Sequence, residues 1–125
     1  MSARHNEAEL LLRKAAEDEV ILDKLFADSD VSDSSWAFHA QQALEKILKS
    51  ALMKKGIRYP KTHDLGVLYQ LAWGAGLSPS FSEGDLAELT PFAVTMRYDD
   101  SEEVSVDRGW MRKLVAVARA WAEGL

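Results

Sequence analysis

Apolar residues recur along this chain at steps of three and four, the spacing that places side chains on one face of a helix. The first such stretch runs from about Asn6 to Ala27, through Ala8, Leu11, Leu12, Ala15, Leu22, Leu25 and Phe26, and Asp28, Ser29 and Asp30 then stop it. The second, over 33–55, is the clearest. Trp36, Ala40, Ala43, Leu44, Ile47, Leu48, Ala51 and Leu52 form an unbroken apolar face, with Glu45, Lys46, Lys49, Lys54 and Lys55 as polar coverage. Ser32 or Asp33 can cap its start, and Gly56 sits where a C-terminal cap belongs. A shorter helix is expected after Thr62, its N-cap, burying Leu65, Leu68, Leu71, Ala72 and Ala75, with Gly74 and Gly76 weakening its end. Ser82 and Asp85 have the spacing of a capping box and open a fourth helix carrying Leu86, Leu89, Phe92, Ala93 and Met96. Pro91 lies inside that pattern and predicts a kink, or a restart with Thr90 as cap. The last helix is expected from near Ser105, with Val106, Trp110, Leu114, Val117, Ala118 and Trp121 on its buried face. No stretch alternates with period two. The expected fold is all-α: an antiparallel up-and-down helical bundle of four long helices plus one short helix, forming a single domain over residues 1–125.

Composition narrows the function classes. The chain has 125 residues, one domain by length, and no Cys, which removes disulfides, thiolate zinc sites and Cys-nucleophile mechanisms. The net charge of −5 argues against a broad basic footprint for duplex nucleic acid while leaving room for a local basic patch. There is no apolar run of membrane-spanning length, and Glu7 and its polar neighbours stand where a signal peptide would be apolar. The expectation is a soluble, cytoplasmic protein with no membrane partner.

Several polar residues stand out against this pattern. His63 and Asp64 begin a helix, where His63 serves either as a phosphate ligand or acid/base near the positive end of the helix dipole, or simply bonds a neighbouring helix while Asp64 complements the dipole. Arg97, followed by Tyr98 and the acidic stretch Asp99 to Glu103, suits either a bidentate phosphate clamp or a cation at a helix C-terminus. Asp18 falls on an apolar stripe and needs a partner such as Arg97, a lysine or a backbone donor, which makes it a candidate for lining an interhelical cleft. Trp36, His39 and Gln42 are the interface or cleft candidates on the second helix, and Gln41 and Gln42 read by default as solvated surface, or else bond across a helix pair or to a ligand. Trp110 and Trp121 read as core or dimer interface. No metal-ligand spacing is present, and no metal or cofactor is expected. Gly74-Ala75-Gly76 lacks the residues of a phosphate-cradling loop.

Three motifs in order then resemble a known family. They are Phe38-His39-Ala40-Gln41-Gln42-Ala43-Leu44-Glu45-Lys46 on the second helix, Lys61-Thr62-His63-Asp64-Leu65 opening the third, and Pro91-Phe92-Ala93-Val94-Thr95-Met96-Arg97-Tyr98-Asp99 ending the fourth. On a five-helix pattern, over roughly residues 6–122, this is similar to a HEPN domain. The resemblance implies a homodimer, a minimal nucleotidyltransferase as protein partner in a toxin–antitoxin-like pair, and nucleotide or phosphate binding at Lys61, His63, Asp64, Arg97 and Tyr98. Many HEPN proteins are metal-independent RNases that use an Arg, four to six intervening residues and a His near the start of the last core helix. In this chain no His follows Arg97 or Arg108. The one formal match, Arg58 to His63 with four residues between, lies before the third helix and is interrupted by Pro60. The leading expectation is therefore a non-catalytic binding module. The alternative is a metal-independent endoribonuclease acting on RNA through Arg58 and His63.

Overall fold

The structure, a computed structural model, describes residues 3–92 and 105–125. Among these residues every regular element is helical: α1 (Ala3–Lys24), α2 (Asp33–Lys54), α3 (Leu65–Gly74), α4 (Glu83–Ala87), a 3₁₀ turn (Thr90–Phe92) and α5 (Arg108–Glu123). The expected all-helical bundle is present, but the short element is α4, with five residues, whereas α3 has ten. The capping box at Ser82 and Asp85 forms as expected and starts α4. The helix ends after little more than a turn, and the chain restarts at Thr90, immediately before Pro91. Proline lacks the N–H that would continue the first helix and is well tolerated at the start of the next. Ala93 and Met96 lie outside the described residues.

Helix boundaries follow from capping chemistry. Ser32 caps α2, its hydroxyl accepting from the Ser35 amide at 3.1 Å. The expected cap of α3, Thr62, is displaced by Asp64, whose carboxylate accepts from the Gly66 amide at 2.8 Å, while Thr62 accepts from the Asp64 amide at 3.0 Å. A carboxylate is the stronger acceptor at the positive end of a helix, so it takes the inner position. Asp107 caps α5 by accepting from the Trp110 amide, which moves the start from Ser105 to Arg108. At the other end of α2, Gly56 adopts φ +74°. The amides of Gly56 and Ile57 turn back onto the carbonyls of Met53 and Leu52, a closure that needs a left-handed residue. Gly76, at φ +79°, closes α3 in the same way.

α2 is the centre of the bundle. Trp36, Ala37, Ala40, Ala43, Leu44, Ile47, Leu48, Ala51 and Leu52 are all buried on it. It packs against α1, α3 and α5. α1 and α2 are antiparallel: the Trp36 indole N–H donates to the Leu22 carbonyl at 3.0 Å near one end, and the Ser50 hydroxyl donates to the Ala8 carbonyl at 2.7 Å near the other. α5 packs against α2 and is tied to α1 by arginines. Arg112 reaches Asp23 and Glu19, and Arg119 reaches Glu19 and the Leu12 carbonyl. The two tryptophans of α5 separate in role. Trp121 is partly buried and donates to the Leu77 carbonyl at 2.8 Å, whereas Trp110 is 38% exposed and the core positions beside it are Met111, Leu114 and Val115. Among the described residues, no helix is long and apolar enough to cross a membrane.

Candidate functional site

Because α2 is covered on three sides, only a narrow strip of it meets water. His39, Gln42, Lys46, Lys49 and Met53, spaced by three and four, form a partly exposed line from mid-helix onward, with Lys54 beside its end. The strip runs between α1, which contributes Asp18, and the α2–α3 loop, which contributes Tyr59 and His63. The result is a polar seam along an otherwise apolar helix.

Two clusters build the seam, and each places one buried carboxylate between a lysine and a histidine. In the first, Asp18 is 7% exposed, its Oδ2 accepts from Lys46 Nζ at 2.7 Å, and its Oδ1 lies 3.4 Å from His39 Nδ1. In the second, Glu45 is 5% exposed and accepts from Lys49 Nζ at 2.9 Å, from Gln41 Nε2 at 3.3 Å and from His63 Nδ1 at 3.0 Å. Gln41 Nε2 also donates to the His63 carbonyl at 3.0 Å, so the loop is held by backbone as well as side chain. Gln42 donates to Gln41 Oε1 at 3.2 Å. Lys49 lies 5.8 Å from the Tyr59 ring centroid, a cation–π distance. Burial, with the Glu7 and Glu45 carboxylates nearby, pushes the Tyr59 phenol above its ordinary value, so it stays protonated.

The seam brings together Asp18, His39, Gln42 and His63, four of the candidates read from sequence. Asp18, on the apolar stripe of α1, pairs with Lys46 of α2. Trp36 is fully buried beneath the α1–α2 turn, in edge-to-face contact with Phe26, and has no surface for a partner. Lys61 is exposed, and Asp64 is committed to capping α3. Arg97 and Tyr98 lie outside the described residues. Arg58 is exposed and lines a groove with Arg4, Met53, Gly56, Ile57 and Tyr59, which does not include His63.

Glu45 is the residue that sequence reasoning misplaced. It was expected among the solvated positions of α2 and is instead the buried centre of the second cluster. Gln41 and Glu45, one helical turn apart, lie beside the buried Ala40, Leu44 and Leu48, and only the packing around α2 turns them inward.

Chemically, the second cluster offers one oriented imidazole. The carboxylate holds the Nδ1 edge of His63, while the side chain is 60% exposed, so the Nε2 edge faces water. Such a ring can hold one phosphate oxygen or pass one proton. No group of three or more carboxylate or imidazole ligands suited to a metal ion occurs among the described residues.

Among the described residues the protein is an all-helical bundle with a central buried helix and a histidine-bearing polar seam along it. The HEPN domain family model matches residues 8–123, nearly the whole chain, and the protein belongs to that family. No curated protein and no solved structure matches the chain.

Proposed function

We propose that this chain acts as one non-catalytic HEPN-like binding module over residues 1–125. In this reading it works in the cytoplasm as a homodimer, associated with a nucleotidyltransferase partner in a toxin–antitoxin-like pair. A nucleotide or phosphate is taken at Lys61 and His63, beside Asp64, with Arg97 and Tyr98 contributing from the segment outside the described residues. The observation that carries this reading is the closure of the seam. Both buried carboxylates are already bridged by a lysine and a histidine of the same chain, an arrangement that orients His63 for contact with a ligand. Isothermal titration with AMP and ATP, with light scattering for the oligomer and co-purification with a nucleotidyltransferase, tests it. The expected result is a dimer whose nucleotide affinity drops in His63→Ala. A monomer that binds neither nucleotide nor transferase would overturn it.

A second reading, a metal-independent endoribonuclease, draws on the Glu45–His63 pair, since a carboxylate on Nδ1 sets the outward nitrogen as acid or base. It predicts RNA cleavage in EDTA leaving 2′,3′-cyclic phosphate ends, lost in His63→Ala. Against it stands the separation of Arg58 into a groove that His63 does not line.

A further inference from the structure

Charge is distributed very unevenly along this acidic chain. The stretch 46–61 holds six of the fifteen Lys and Arg residues and no Asp or Glu, so the remaining nine cations face all twenty carboxylates. Lys46 and Lys49 are consumed by the seam. Lys54, Lys55, Arg58 and Lys61, joined by Arg4 from α1, form no ion pair among the described residues. These five gather around the turn that closes α2, whereas Arg13, Lys24 and Lys113, also without an ion pair among the described residues, lie elsewhere on α1 and α5.

That turn has a shaped surface. Arg4, Met53, Gly56, Ile57, Arg58 and Tyr59 line one groove of about 500 Å³, within the size range of small-ligand sites. Gly56 is favoured by its φ of +74°, which closes α2, and the Arg4 guanidinium rests against it, where a Cβ would lie 2.7 Å from the flexible Nη1 end. Met53 and Ile57 give the groove apolar surface, and Lys49 lies over the Tyr59 ring at 5.8 Å from its centroid. Glu7 and Glu45 act on the Tyr59 hydroxyl, which biases an anion away from the phenol and toward the guanidinium groups.

We propose that this groove is an anion site in which Arg4 and Arg58 take the terminal phosphate of a phosphate monoester, with Met53, Ile57 and Tyr59 against the body that carries it. Two guanidinium groups match the forked geometry of a phosphate dianion better than that of a single-charged phosphodiester. The apolar surface favours a ligand with a compact organic body over a bare ion. The acidic remainder of the surface repels a long polyanion, which restricts binding to this end. The site is separate from the one proposed at His63 and does not depend on it. The monoester can belong to a small metabolite or to the phosphorylated end of a nucleic acid strand.

The test is ¹H–¹⁵N NMR of the full chain, titrated with glycerol 3-phosphate, AMP, and an RNA hexamer with or without a 5′-phosphate. Glycerol, adenosine and an acidic peptide are the controls. The expected result is saturable shifts at the Gly56 and Tyr59 amides and at the Arg4 and Arg58 Nε–H groups, with monoesters only. Arg58→Ala and Arg4→Ala each weaken the binding read at these signals about tenfold. Tightest binding by AMP or glycerol 3-phosphate assigns the small-molecule source, and tightest binding by the 5′-phosphorylated hexamer assigns the strand end. No shifts, equal shifts with the 5′-hydroxyl hexamer or the peptide, or unchanged affinity in Arg58→Ala would overturn the proposal. Because Arg58 is exposed, its alanine variant is expected to melt with the parent, and matching circular dichroism melts check that the variant is folded.

Discussion

Asp18 and Glu45 carry most of the information in the seam, because each is a carboxylate held at the edge of an apolar core. Asp18 satisfies both oxygens with Lys46 and His39. Asp18→Ala leaves the partly buried Lys46 ammonium without its carboxylate, and the expected cost is about 1–2 kcal/mol in urea unfolding, since Lys46 can still reach some water. Glu45 sets the tautomer of His63. Because the carboxylate accepts at Nδ1, neutral His63 is expected to carry its proton there, with Nε2 bare toward solvent. Long-range ¹H–¹⁵N spectra of the imidazole will read this directly, and Glu45→Ala should return the ring to the Nε2–H form usual in water. Asp18 was legible in the sequence because it broke an apolar stripe. Glu45 was not, because Glu on a helix beside Lys reads as solvated surface, and only the packing of α1, α3 and α5 around α2 narrows that surface to one strip.

At the scale of elements, Arg108 joins three pieces of chain. From the first turn of α5 its guanidinium donates to the carbonyls of Leu25, Phe26 and Val31 and to Asp33, and it lies over the Trp36 ring. These carbonyls belong to the α1–α2 connection, where helix ends leave acceptors without intrahelical donors. Arg108→Ala is expected to cost about 3 kcal/mol, with Arg108→Lys intermediate because the ammonium keeps the charge and loses the fork. Equilibrium denaturation measures both. Asp33 at the same junction gives a pH dependence. The Val106 amide, then Arg108, hold its carboxyl below the ordinary value against the opposing effect of burial. Folded Asp33 stays ionised to a lower pH than unfolded Asp33, so the unfolded chain binds more protons in between, and stability there rises with pH. Its contribution is complete above the unfolded value of about 4 and drains as pH falls through the folded one. Stability measured from neutral to acid pH should therefore fall below about pH 4, and Asp33→Asn should make that fall shallower.

For the whole molecule, the placement of α2 decides where stability resides. A helix covered by three others opens only when the bundle does, whereas α4 and the 3₁₀ turn contribute few buried side chains. Hydrogen exchange should find the slowest amides at Leu44, Ile47 and Leu48, near the global limit, and much faster exchange over 83–92. Charge is also a property of this scale. A net −5 disguises a basic end at the α2–α3 turn, and binding there should weaken with added salt while the melting temperature changes little. A salt series of the phosphate titration with parallel melts checks both.

The sequence by itself determined the helices, their approximate ends and the family likeness, since periodicity, Ser, Asp and Gly caps and an unbroken apolar face are local features that act before the chain is packed. It also marked Asp18, His39, Gln42 and His63. It did not determine which of those residues would meet. Lys46 with Asp18 and His63 with Glu45 are separated by 28 and 18 positions, and such pairs form only when α1 and the α2–α3 loop close against α2. Likewise, helical pattern continued past Ala87, yet the helix stopped there and restarted at Thr90, next to Pro91. Tertiary structure decided these points because burial, unlike helical spacing, depends on what packs from outside. It left Glu45 inside, and it set Arg4 against Gly56 across most of the first half of the chain.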